Sequence, residues 1–177
     1  MSKTDTTKII EACLFQLFFL EKSMRCGLEV ETFNDRNYWN KRVDFIAYDK
    51  KEVFTFIEIK ISVADFKSKH GHSFNGHKNY YAMPLDVYEK VKDLIPKEIG
   101  VYVLSTCNEY DKNKKECYIR HCLILEKRCS TIKNCKLDSG NRMKEQKWNV
   151  LTACNSTIRR LISPIRDIRV AEDWSDK

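Results

Sequence analysis

Proline and glycine are scarce in this 177-residue chain, three and five in all. That scarcity excludes collagen-like and Pro/Gly-rich low-complexity classes and predicts regular helices and strands. No internal repeat is present, which sets solenoid and propeller folds aside. The eight cysteines (Cys13, Cys26, Cys107, Cys117, Cys122, Cys129, Cys135 and Cys154) form no Cys-x-x-Cys pair, so a structural zinc has little support. They read instead as small buried hydrophobes or free thiols. The apolar stretch over residues 9–20 is too short to span a bilayer and is interrupted by Glu11 and Gln16. MSKTDTTK lacks the apolar region and cleavage site of a secretory peptide. A cytoplasmic protein with no membrane partner is expected, and disulfides are disfavoured in that compartment.

What the chain does have is enough apolar residue for a core, 42%, beside 32% charged residues. One domain over residues 1–177 is expected. The net charge of +7 suits a polyanionic partner but also ordinary solubility. Part of it lies in residues 107–147, where 11 basic residues face 6 acidic ones and five of the cysteines occur. This stretch reads as a basic, Cys-rich insertion, either solvated or wrapped on a nucleic-acid backbone.

Hydrophobic periodicity predicts a first helix over 7–24, capped by Thr6 or Thr7 and apolar nearly all round. Strands follow at 28–33, 42–49 and 53–62, the last two apolar on both faces, as in a sheet covered on both sides. A short helix over 63–68, capped by Ser62, leads to a strand at 79–83, a helix over 85–95 ended by Pro96, and a strand at 101–105. Another strand is expected at 117–125, then an amphipathic helix over 148–163 ended by Pro164 and a tail over 164–177. Helices alternating with strands predict an α/β sandwich with a mixed sheet.

The feature that carries chemistry is Asp44 with Glu58-Ile59-Lys60. Glu58 and Lys60, two apart on a strand, point the same way. An odd-numbered hairpin loop, such as Lys50-Lys51-Glu52, puts Asp44 opposite Glu58 on that same face, whereas a two-residue loop puts it on the other. Two carboxylates on adjacent strands suit a hard divalent cation, and a lysine beside them can orient water or neutralise charge. The same three residues also describe a structural salt bridge, and spacing alone does not separate the two.

Asp, a hairpin-sized gap and Glu-x-Lys on a hydrophobic strand resemble the PD-(D/E)xK nuclease superfamily, with Val43 where a Pro usually precedes the Asp. The resemblance covers roughly residues 7–105. The order EIKISVADFKSKHGHSFNGHKNYYAMP followed by VYEKVKDLIPKEIGVYVLS is similar to MmcB-type DNA repair proteins of bacteria and phages. The resemblance implies a restriction-endonuclease-like sandwich and a Mg²⁺-dependent deoxyribonuclease, with Mn²⁺ able to substitute. It implies roles in repair, recombination or phage biology. Asp44, Glu58 and the Ile59 carbonyl would be metal ligands and Lys60 the catalytic lysine. It makes Glu11 the candidate acid from the first helix, with Glu21 and Glu31 as rivals. Lys78 and Tyr81 become candidate DNA contacts, His77 and Asn79 weaker ones.

In the loop over residues 34–41, Arg36, Tyr38 and Trp39 read either as nucleic-acid contacts or as ordinary core and surface groups. His70-x-His72 with His77 reads as a transition-metal site or, more often, plain loop surface. RNA as substrate, a homodimer, a non-cleaving nucleic-acid binder and a phage-type protein-interaction factor all remain alternatives.

Overall fold

The structure, a computed structural model, describes residues 4–32, 41–68, 70–111, 116–133, 135–138 and 141–172, with the side chains of 41, 107, 109–111, 116–118, 136 and 162–172 excepted. Arg36, Tyr38 and Trp39 lie outside the described residues. Helix α1 spans Asp5–Phe15 and runs on as a π-helical turn, Gln16–Glu21. Its cap is Thr4 rather than Thr6 or Thr7: the Thr4 hydroxyl accepts from Thr7 N at 3.3 Å, and Asp5 meets the positive end of the helix dipole in the first turn. Strands β1 (Arg25–Thr32), β2 (Lys41–Tyr48) and β3 (Phe54–Ile59) form an antiparallel meander. Helix α2 (Val63–Lys67), capped by Ser62, leads to β4 (Lys78–Pro84), which lies parallel to β3. Helix α3 (Leu85–Val91) and a 3₁₀ turn (Lys92–Leu94) lead to β5 (Gly100–Asp111), parallel to β4, and β6 (Glu116–Lys127) returns antiparallel. A 3₁₀ turn at Lys136–Asp138 precedes the long helix α4, Arg142–Glu172.

The result is an α/β fold around one mixed six-stranded sheet in the order β1-β2-β3-β4-β5-β6. One face packs Phe45, Ile57, Ile59, Tyr80 and Tyr102 against Ile10, Leu14 and Phe18 of α1 and its π turn. Elsewhere Tyr81, Met83, Val101 and Val103 pack with Phe66 of α2 and Val87 and Val91 of α3. Ile46, Phe54 and Phe56 pack with Val150 of α4, Cys135 and Leu137. Every residue of β3 is buried, Thr55 and Glu58 included, as expected of a central strand covered on both faces.

The stretch expected as an insertion is built into this framework. Residues 107–111 extend β5 and residues 116–127 form β6. Beyond them, Ile132 N donates to the His77 carbonyl at 2.9 Å, Ser130 N to the Glu98 carbonyl at 3.0 Å, and Asp138 meets the His77 ring at 2.9 Å. The helix expected over 85–95 ends as α-helix at Val91 and finishes as a 3₁₀ turn at Leu94. Pro164 does not end the last helix, which continues to Glu172. A proline lacks one N–H, so it withholds the bond to the Arg160 carbonyl while leaving the later turns free to form.

Helix α4 covers the exposed edge of β1. Leu28 N, which has no strand on that side, donates to Thr157 Oγ1 at 3.1 Å, and the Glu31 carbonyl accepts from Asn149 Nδ2 at 3.1 Å. Side chains thus satisfy an edge that would otherwise invite pairing with another chain. Gly27 permits the close approach: a Cβ there would lie 2.7 Å from Ala153 Cβ and 3.2 Å from the Val150 carbonyl. Gly27→Ala is therefore expected to push α4 off the sheet and cost about 1–3 kcal/mol, read as a lower urea midpoint.

Candidate active site

The hairpin between β2 and β3 sets the site's register. Asp49 N meets the Val53 carbonyl at 3.4 Å, enclosing the loop Lys50-Lys51-Glu52. Glu52 N donates to the Asp49 carbonyl at 3.0 Å, and Glu52 takes a left-handed φ of +63°. This is the three-residue turn with a left-handed last residue. The Asp49 side chain holds it by accepting from Lys51 N at 2.8 Å and Val53 N at 3.0 Å. The ladder runs from Tyr48↔Phe54 to Phe45↔Ile57; continued by one step, it sets Asp44 opposite Glu58.

At that step the strands stop pairing. The Asp44 carboxylate takes over, accepting from Ile59 N at 2.8 Å through Oδ2. On the other side of β2, Leu28↔Phe45 and Val30↔Val43 pair, and Glu29 between them takes φ +53°, which interrupts the regular ladder. Asp44 thus sits where the sheet opens on both flanks of β2, and its side chain reaches the end of β3.

A cleft of about 370 Å³ lies there, lined by Asp44, Glu58, Ile59, Lys60, Asp65 and Gly71, with Thr7, Arg42, Ile61 and His70 at its edges. Glu58 is 1% exposed and Lys60 2%. Glu58 Oε1 accepts from Ser73 N at 3.0 Å, and the Asp44 carboxyl is its neighbour in the cleft. Burial first, and the Asp44 charge second, push Glu58 up to about 8. Lys60 Nζ donates to the His70 carbonyl at 2.7 Å and the Asp65 carbonyl at 3.5 Å, and it lies 3.7 Å from Asp65 Oδ1. Asp65 is tied down in turn, accepting from Ile61 N at 3.1 Å.

Two carboxyl groups lining one small cleft are relieved of their mutual repulsion by sharing a proton or a cation. The donor set offered is two carboxylates and the nearby backbone oxygen of Ile59. Among the described residues no group of three or more Asp, Glu, His or Cys side chains is arranged to hold a metal. Such a sparse, all-oxygen set fits a hard cation that keeps waters and takes further oxygens from substrate. It does not suit zinc or another soft ion.

Several residues escaped the sequence reading. Gly71 has φ +67°, and a Cβ on it would lie 2.8 Å from Lys60 Nζ and 3.2 Å from Glu58 Oε2. The 70–73 loop closes over the acid–lysine pair only because this residue is glycine. Its one signal was a glycine, in a glycine-poor chain, shortly after Glu-x-Lys. Asp65 and Arg42 also line the cleft; Arg42 lies two residues before Asp44 on β2, so strand alternation held a clue.

Other candidates are placed elsewhere. Glu11 is 2% exposed and meets Arg160 at 3.1 Å; Thr7, one turn earlier on α1, is the residue that reaches the cleft. Glu21 lies 3.7 Å from Arg120, and Glu31 lines the groove between β1 and α4. Tyr81 is paired with Glu58 across β3 and β4 but is 2% exposed, and its hydroxyl bonds His72 Nδ1 at 2.6 Å. It is a core residue there, not a surface for DNA. Lys78 pairs with Thr55, four residues and roughly 13 Å along the strand from Ile59, away from the cleft. His77 accepts from Phe54 N at 3.0 Å and meets Asp138 through its other nitrogen, so it braces the sheet. Asn79 closes the preceding turn through both backbone groups of Gly76. With His72 also bound to the Ser68 carbonyl at 2.9 Å, the three histidines do not converge on a metal.

The raised Glu58 carboxyl has a measurable consequence. Between the ordinary value of 4.5 and about 8 the folded chain holds a proton that the unfolded chain releases. That group therefore favours the ion-free fold at low pH, and its contribution is lost as pH rises through the window. In EDTA, wild-type unfolding midpoints should fall relative to those of Glu58→Gln between about pH 5 and 9. Parallel profiles for the two proteins would show that Glu58 is not strained.

Among solved structures, the chain is similar to the SPO1766 protein of unknown function from Silicibacter pomeroyi, with a TM-score of 0.60 at 16% identity over 92% of this chain and 95% of that one. At that identity the likeness shows the fold alone. No family model matches the chain, and no curated protein matches it. Among the described residues, no helix is long and apolar enough to cross a membrane.

Proposed function

We propose that this chain is a divalent-cation-dependent nuclease of the PD-(D/E)xK type that hydrolyses phosphodiester bonds in DNA. One observation carries the reading: Asp44, Glu58 and Lys60, from two strands that part at that point, line a single cleft. The order helix, antiparallel meander, helix, parallel strand is compatible with the restriction-endonuclease-like sandwich.

Asp44, Glu58 and the Ile59 carbonyl would hold Mg²⁺, with Mn²⁺ as a substitute. Bound there, the ion would polarise the scissile phosphate and lower the pKa of a coordinated water. The protein's own share is positional. Ile59 N holds the Asp44 carboxylate and Ser73 N holds that of Glu58, so both oxygen donors are fixed before substrate arrives. Lys60 is ringed by acceptors from the 65–70 segment, which aims its ammonium as a hydrogen-bond donor. In that state it orients the attacking water and offsets the negative charge that builds on the phosphate. Arg42, 60% exposed at the mouth, is placed to meet a phosphate of the incoming strand.

Labelled single-stranded, duplex and branched DNA should yield products with Mg²⁺ or Mn²⁺ and none with EDTA. Asp44→Ala and Lys60→Ala should each lower the rate by at least about 100-fold while keeping the wild-type circular dichroism spectrum. Lys60→Ala with full activity in Mg²⁺ would remove the lysine from the chemistry, and wild-type protein inert on all three DNA forms would remove the nuclease itself. Asp65→Asn should slow cleavage less than Lys60→Ala, because two backbone carbonyls still hold the ammonium.

A further inference from the structure

Helix α4 carries a surface that neither the core nor the cleft accounts for. Trp148 is 72% exposed and Leu151 40%. A tryptophan left that bare is unusual, since its large ring is among the strongest drives to burial. Asn155 and Arg159 follow at helical spacing, both exposed, so the four form one stripe roughly 17 Å long. Arg160, beside it, shares a shallow surface depression with all four.

The stripe is connected to the candidate active site. A groove of about 510 Å³ runs between β1 and α4, lined by Arg42, Trp148, Thr152 and Arg160 among others. Arg42 also lines the cleft that holds Asp44, Glu58 and Lys60. The two depressions therefore meet at one guanidinium. Charge points the same way: residues 142–161 of α4 include five basic residues and one acid, Glu145. Arg42 is matched by Glu29 at 3.4 Å and Arg160 by Glu11 at 3.1 Å, while Arg159 makes no ion pair among the described residues.

We propose that this stripe and groove bind a single-stranded segment of DNA flanking the scissile phosphodiester, a proposal that rests on the nuclease reading. An indole face takes an unpaired base by stacking, and guanidinium groups along the same track take the phosphates. A duplex keeps its bases stacked on one another and offers none to Trp148. A second copy of the chain fits less well. Two exposed apolar side chains fall well short of the roughly 800 Å² per partner that a stable dimer buries.

The test is fluorescence anisotropy of a fluorescein-labelled oligothymidine in EDTA, where no cleavage intervenes. Trp148→Ala should weaken binding about tenfold or more, Trp148→Phe much less. Arg159→Ala should weaken binding and flatten the plot of log affinity against log salt by about 0.7. Both side chains are exposed, so melting midpoints should stay at the wild-type value. Wild-type affinity in both alanine variants would overturn the proposal. So would a wild-type dimer in sedimentation that Trp148→Ala converts to monomer with DNA affinity unchanged, because a second copy would then own the surface. The same proteins in Mg²⁺ separate the two readings. Binding through Trp148 without products leaves the strand surface standing and removes the chemistry; cleavage of the oligonucleotide indifferent to Trp148 does the reverse.

Discussion

Two carboxyl groups pressed together at the end of a buried strand are the constraint around which this molecule is arranged. Neither Asp44 nor Glu58 can be accommodated by burial alone, because an isolated carboxylate removed from water is unstable unless it is neutralised or paired. The fold meets that demand locally. Ile59 N and Ser73 N each donate to one carboxylate, and Lys60 lies beside them under a loop that only glycine can close. This arrangement is costly for stability and is understandable if the site exists to receive a cation.

The surrounding architecture follows from where that pair must sit. The antiparallel meander brings Asp44 opposite Glu58, and the end of strand pairing after Phe45↔Ile57 opens the gap that the cleft occupies. The parallel strand β4 then seals the other flank of β3, with the Ala82 carbonyl accepting from Lys60 N at 2.9 Å. Helix α1 covers one face, and α4 covers the β1 edge through Thr157 and the Gly27 contact. The site is therefore built on strands held from three sides, which is what a rigid donor set needs.

Local pattern made much of this legible. Glu-x-Lys on a strand forces its two charges onto one face, and the odd-numbered loop Lys50–Glu52 sets Asp44 against Glu58. The first follows from a side-chain period of two alone; the second also needed the loop length, which the sequence left open and the structure sets at three residues. The mixed α/β character was equally readable from alternating helical and strand periods. Tyr81 was misjudged because its face depends on the β3–β4 register, a long-range pairing with no local signature. Where Lys78 lies relative to the cleft was equally illegible, because it depends on strand direction: β4 runs parallel to β3, so its first residue lies at the far end. Within 107–147 the strand at 117–125 was readable, but the extension of β5 through Asp111 and the place of β6 at the sheet edge come from their mutual pairing, which has no local signature. Pro164 shows that a residue preference sets a tendency rather than a stop.

The central claim is that Asp44 and Glu58 exist to bind one hard cation. The most direct measurement is anomalous scattering from crystals grown with Mn²⁺. The account predicts a single peak within about 2.0–2.5 Å of oxygens from both carboxylates and from the Ile59 carbonyl, lost in Asp44→Ala. Carboxylates with no peak between them at saturating Mn²⁺ would contradict it.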